Sequence, residues 1–143
     1  MTNAVESGVE SGVESGLKSL GPRLHELVRH IEDDVHAAGK AAAKAALREA
    51  VLGTPVKTGR ARANWQVGRG AAPDGTLEAT DAQGLETIAR GDAVIDAAAP
   101  GERLVIANNL DYVRRLNNGD ASRAGAGFME KAAMAARAAL REG

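Results

Sequence analysis

From Ser19 to Leu52 the apolar side chains recur at alternating intervals of three and four. Leu24, Leu27, Val28, Ile31, Val35, Ala38 and Ala42 fall on one stripe, the pattern of an amphipathic helix. Pro22 suits a first helical turn. Glu26, Glu32, Asp33 and Asp34 lie toward the start and Lys40, Lys44 and Arg48 toward the end, an order that complements the helix dipole. A helix of about 30 residues runs about 45 Å, longer than a small domain's core. Either Gly39 interrupts it, or its alanine-rich half, Ala38 to Leu52, packs on something outside the subunit. Alanines let helices approach closely, which favours a subunit interface there. Thr54-Pro55 ends the pattern, because proline lacks an amide hydrogen and moves its predecessor out of helical angles. Thr58-Gly59 supplies a turn. Ala61, Ala63, Trp65 and Val67 then alternate with Arg62, Asn64 and Gln66, predicting a half-buried strand.

The loop from Gly68 to Gly75 follows, rich in Gly, Pro and Asp, and Thr76 to Thr80 is expected as a short returning strand. A helix is predicted from Asp81, as N-cap, to Ala98, with Leu85, Ile88, Val94 and Ile95 apolar and Gly84 and Gly91 weakening it. Glu102 to Asn108 reads as a buried strand. Leu110 to Leu116 reads as a short helical turn, stopped by Asn117-Asn118-Gly119-Asp120. After a loop through Gly127, a closing helix spans Phe128 to Arg141. The predicted class is α+β: a small antiparallel β-sheet packed by a long N-terminal helix and a C-terminal helix. Its core candidates are Leu24, Leu27, Ile31, Trp65, Val67, Leu104, Ile106, Tyr112 and Phe128.

Ahead of the first helix, Val5-Glu6-Ser7-Gly8 is repeated as Val9 to Gly12 and Val13 to Gly16. The repeat is too short for a solenoid unit, and a glycine in each tetrad costs a helix about 1 kcal/mol. Residues 1–18 are therefore expected to form a flexible acidic tail, or else an arm that orders on a partner subunit. Residues 19–143 form the single domain.

Composition changes this picture in two ways. Of the 143 residues 44% are hydrophobic, yet only one Trp, one Tyr and one Phe are present. A core built so largely from alanine is thin, and thin cores are often completed by partner subunits. Net charge is −1 and there are no cysteines. Disulfides and thiolate chemistry are excluded, and no global field draws the chain to nucleic acid or a membrane. No apolar run approaches the roughly 20 residues of a membrane span, and the acidic N-terminus lacks the regions of a secretory signal.

Candidate chemistry is sparse. His25, His30 and His36 are spaced five and six apart, so no two stack as zinc ligands. No serine lies in a nucleophile elbow, and no carboxylate pair is indicated. Gly125-Ala126-Gly127 opens a helix but lacks the strand and the Lys-Ser/Thr of a phosphate loop. No catalytic, cofactor or metal residues are assigned. His36, Lys40, Lys44 and Arg48 form a basic row, ordinarily a solvated face. With Arg60 and Arg62 it supplies the rival reading, a small nucleic-acid-binding protein.

Two stretches carry a family resemblance. Pro55-Val56-Lys57-Thr58-Gly59-Arg60-Ala61-Arg62-Ala63-Asn64-Trp65 resembles the signature that follows the N-terminal helix in tail-completion, or neck, proteins of long-tailed bacteriophages. Val105 to Gly119, with Asn108-Asn109 before Tyr112 and Leu116, is similar to their second signature. Asn117 stands where that family often has an acidic residue, and residues 121–129 depart from its usual loop. The resemblance implies a structural virion protein, not an enzyme. It implies assembly in the host cytoplasm as a homo-oligomeric ring between the head connector and the tail tube or tail terminator. DNA would pass through the ring without sequence recognition, and neither a membrane nor a small-molecule substrate is implied. The subunit-interface candidates are Lys44, Arg48, Lys57, Arg60, Arg62, Asn117, Asn118 and Arg123.

Overall fold

The computed structural model describes residues 22–120 and 123–142, with side chains over 36–119 and 124–142. The Val-Glu-Ser-Gly repeats lie outside the described residues, as do the side chains of Leu24, Leu27, Ile31 and Arg123.

The periodic segment forms one helix, α1 (Pro22–Gly53), of 32 residues that continues through Gly39. Ala42, Ala43, Ala46, Leu47, Ala50 and Val51 are buried on it. They face two helices of the same chain, α3 (Leu85–Asp96) and α5 (Phe128–Glu142). The expectation that this stripe meets another subunit is thus corrected. Small side chains do permit a close approach, but the helices that make it are internal. At Gly91, a Cβ would collide with the Leu47 side chain, so the glycine that weakens α3 as a helix is what lets it sit on α1.

After α1 the backbone departs from the predicted strand. Arg60–Ala63 is a single helical turn, α2, closed by the Ala63 amide donating to the Gly59 carbonyl at 3.0 Å. Gly59 starts it with φ 88°, and a Cβ there would stand 2.7 Å from the Ala82 nitrogen. Ala61 and Ala63 are both buried; the alternation marked the right side chains but the wrong backbone. The strand β1 (Trp65–Arg69) pairs antiparallel with β2 (Leu104–Asn108), in the register Trp65 to Asn108 and Arg69 to Leu104. Past β2 come a short helix, α4 (Val113–Asn118), and a minimal antiparallel pair, β3 (Gly119–Asp120) with β4 (Arg123–Ala124). The fold is α+β, with helices packed on the small sheet.

Thr76 to Thr80 is not a strand. The Asn64 side chain takes the place of a partner strand: its Oδ1 accepts the Leu77 amide at 2.7 Å and its Nδ2 donates to the Leu77 carbonyl at 2.9 Å. With both backbone groups of Leu77 satisfied by one side chain, no ladder is needed. α3 begins at Leu85 with Gly84 as its cap residue, later than predicted. Asp81 still serves the helix start: its carboxylate accepts the Gly84 amide at 3.0 Å and the Thr87 amide and hydroxyl at 2.8 Å each. Burial pushes the Asp81 carboxyl up, but the bonds from Thr87, Gly84 and Glu86 together outweigh it and hold the group below its ordinary value.

The core gathers where the end of α1 meets the start of α5. Phe128, Leu47, Val51 and Ile95 have no exposed surface. The Trp65 and Phe128 rings meet edge to face, 5.9 Å between centroids at 87°, the arrangement favoured by ring quadrupoles. Leu104 is buried, while Val67, Ile106 and Tyr112 pack against this cluster from partly buried positions. Thr54, also fully buried, ties the region together. Its hydroxyl donates to the Ala50 carbonyl at 2.6 Å and accepts the Trp65 indole N–H at 2.9 Å.

Replacing Thr54→Val keeps the shape but leaves the indole N–H buried without an acceptor, a loss of about 1–3 kcal/mol in a urea melt. Trp65→Ala should cost about 3–5 kcal/mol. For Asp81 the folded state holds the lower pKa, so its stabilisation is complete above the ordinary carboxylate value and is lost as pH falls through the folded one. Asp81→Asn should therefore flatten the loss of thermal stability below about pH 4.

Candidate functional site

The two segments that carry the resemblance are far apart in sequence and adjacent in space. The β1–β2 ladder joins them, and the Asn108 Nδ2 donates to the Ala61 carbonyl at 2.9 Å. Between them lies a groove of about 670 Å³. Pro55, Val56, Lys57, Thr58, Gly59 and Ala61 form one wall; Tyr112, Arg115 and Leu116 form the other, and Gly119, Ala124 and Ala126 complete it. Among the described residues its two charged lining side chains, Lys57 and Arg115, are both basic. Val56 stands 46% exposed on the rim, in a stretch that proline holds out of the helix.

The polar residues of the same segments are mostly committed inward. The Arg62 guanidinium donates to three carbonyls: Thr54 at 2.8 Å, and Leu52 and Ala82 at 2.9 Å each. It thereby caps the end of α1, where carbonyls lack helical partners, and fastens it to the approach to α3. Of the five donors in its fork, Arg62 thus commits three inside the chain. Asn117 is also committed within the chain. It is 4% exposed, its Oδ1 accepts the Met129 amide at 2.8 Å, and its Nδ2 donates to Glu130 and Asn118 oxygens at 3.0 Å. A carboxylate at that position could not make the two donations, so the asparagine suits this particular start of α5.

The remaining candidates divide between paired and open positions. Lys44 is half-buried and forms an ion pair of 2.6 Å with Asp96. That hydrogen bond lifts the lysine above its ordinary pKa and holds the aspartate below its own. Lys40 donates to the Asp96 carbonyl at 2.7 Å, so two members of the basic row serve the C-terminal end of α3, where cations are favourable. Arg60 pairs with Glu78 at 3.3 Å and lies close to the Leu77 carbonyl. Arg48, Lys57 and Asn118 are exposed. Of these candidates only Lys57 lines the groove.

Sequence reasoning missed the fasteners: Thr54, Asn64, Arg90 and Asn109. Arg90 donates to the Ala63 and Trp65 carbonyls at 2.9 and 3.2 Å. Asn109 donates to the Pro73 and Gly75 carbonyls at 2.9 and 3.0 Å. The concentration of Asn and Thr at element ends was the available signal, since these side chains readily bond nearby backbone. Among the described residues no group of three His, Asp or Glu converges on a site for a metal ion.

A family model matches residues 18–119, HK97-gp10-like, described as "Bacteriophage HK97-gp10, putative tail-component". The chain belongs to this family. No curated protein and no solved structure matches it. The HK97-gp10-like match takes in α1, both resemblance segments and the two facing walls of the groove, and it stops before α5. Membership makes the chain a structural component of a phage tail, located in the virion.

The inward and outward arginines are separable by mutation. Arg62→Ala removes three carbonyl partners and should cost about 2 kcal/mol in urea denaturation. Arg60→Ala loses a largely exposed pair and should stay within about 0.5 kcal/mol of the parent.

Proposed function

We propose that the protein is the neck, or tail-completion, component of its phage. In this reading copies of the chain assemble as a ring between the head connector and the tail tube or tail terminator. The ring completes the channel through which DNA passes, is assembled in the host cytoplasm, and does no catalysis. The observation that carries the reading is the groove itself. The two resemblance segments spend Arg62, Asn64, Asn108 and Asn117 on internal bonds and leave an apolar, basic-rimmed cleft between them. Such a surface is suited to receive protein, because buried apolar contact with a few placed charges gives both affinity and register.

Head-to-tail contacts close into rings when the rotation between copies allows it. A groove on one copy, meeting a different surface on the next, is a contact of that kind. The rival reading, nucleic-acid recognition through the basic row and the Arg60/Arg62 turn, is weaker for a physical reason. Lys40, Lys44, Arg60 and Arg62 already have carboxylate or carbonyl partners, and phosphate binding would have to displace them.

Size-exclusion chromatography with light scattering, alone and with the connector and tail-tube proteins, tests the proposal. The expected result is a concentration-dependent oligomer that joins one or both partners. Val56→Asp should weaken that association by about tenfold or more while changing folding stability by less than about 0.5 kcal/mol. A monomer at every concentration that binds neither partner would refute the reading.

A further inference from the structure

We propose that the groove between Pro55–Gly59 and Tyr112–Leu116 is the receptor for the acidic Val-Glu-Ser-Gly arm of a neighbouring copy. The proposal rests on the ring reading above and names what joins one copy to the next.

Complementarity of charge and apolarity is the first support. Each of the three tetrads offers one valine and one glutamate, and Val5 to Gly16 carries three negative charges and no positive one. The groove offers Val56, Tyr112 and Leu116 for the apolar side chains, and Lys57 and Arg115 for the carboxylates, with no acidic residue among the described residues of its lining. At about 670 Å³ it lies within the range of sites that bury a short peptide-sized ligand. The glycine and serine of each tetrad lack bulk, so an extended arm can lie close to the groove wall.

Reach is the second support, and it selects the neighbour over the chain's own arm. The arm precedes Pro22, whereas the groove begins just after Gly53, at the opposite end of α1. At about 1.5 Å per residue, the 32 residues of α1 separate the two by about 48 Å. Val9 precedes Pro22 by about 13 residues, at most about 47 Å of fully extended chain. The third tetrad, about 9 residues before Pro22 and so about 32 Å at most, therefore cannot reach the groove of its own chain, and the second reaches only if drawn out straight along α1. A neighbour placed head to tail can receive any of the three. The repetition then has a use: three equivalent tetrads raise the effective concentration of ligand at one groove.

The chain contains no cysteine, which makes disulfide trapping a clean test. Full-length copies carrying Val9→Cys are mixed with full-length copies carrying Val56→Cys, assembled, and oxidised with copper phenanthroline, two thiols giving one disulfide. A mixed dimer linking position 9 of one copy to position 56 of the other is expected in excess of the symmetric dimers, and it should be absent when Leu85→Cys, exposed but outside the groove, replaces Val56→Cys. Reversing Glu6, Glu10 and Glu14 to lysine should reduce the linked product several-fold. Reversing Lys57 and Arg115 to glutamate in the receiving copy should restore it. A double variant of one chain that links within the monomer instead would overturn the assignment to a neighbour. Light scattering on the same samples separates the two readings. An oligomer that forms without the cross-link overturns the arm proposal and leaves the ring standing, whereas a monomer throughout overturns both.

Discussion

The hydrogen bond from the Trp65 indole to the Thr54 hydroxyl, 2.9 Å long inside a closed core, is the constraint on which the rest of this structure depends. The chain has a single tryptophan, and burying it adds a large apolar surface to a core that otherwise combines alanines with a few aliphatic side chains and Phe128. A buried indole N–H needs an acceptor. Thr54 provides it from the first residue beyond α1, while its own proton returns to the Ala50 carbonyl. The long helix is thereby tied to the first strand at the point where Pro55 prevents it from continuing. Phe128 then meets Trp65 by its edge, which seats the start of α5 on the same spot. Three elements distant in sequence are placed by one threonine and two rings.

Around that point the chain uses side chains where other folds use backbone ladders. Asn64 satisfies both backbone groups of Leu77, Asn109 holds the Pro73–Gly75 turn, Asn117 opens α5, and Arg62 closes α1. Each bond of this kind is modest, but those of Asn64 and Asn117, partly buried, also spare backbone groups from being left unpaired, which costs more than the bond contributes. This explains how a domain whose main sheet has two five-residue strands holds a long connection between them. It also explains why the segments bearing the family resemblance contain so many residues that never reach the surface: much of the signature describes fastening.

What the fastening leaves exposed is therefore informative. Pro55, Val56, Lys57 and Thr58 are held outward by the halt of α1, and Arg115 faces them from α4. In the proposed reading of this HK97-gp10-like chain, the cleft that is apolar within and basic at the edge is the surface that receives a neighbour. The opposite end of the same helix leads to the acidic repeats. In the proposed assembly one helix thus carries complementary features at its two ends, the polarity that head-to-tail contacts require.

Much of this was legible in residue order. The three-and-four spacing of Leu24 through Ala42 announced α1, Pro55 its end, Trp65 and Phe128 the large core side chains, and Leu104 to Asn108 the second strand. These follow from local rules, since a helix or strand displays its buried face in its own periodicity. The same periodicity says that a face is apolar without saying what covers it, so the alanine stripe of α1 could point to a neighbour while α3 and α5 of the same chain were its actual cover. Likewise Ala61 and Ala63 satisfied a strand's alternation and were wound into a turn, because Gly59 took a left-handed angle beside Ala82. Arg62 and Asn117 looked like surface residues by type. Only the folded chain decided otherwise, because the free carbonyls and amides they satisfy belong to segments that the sequence does not place beside them.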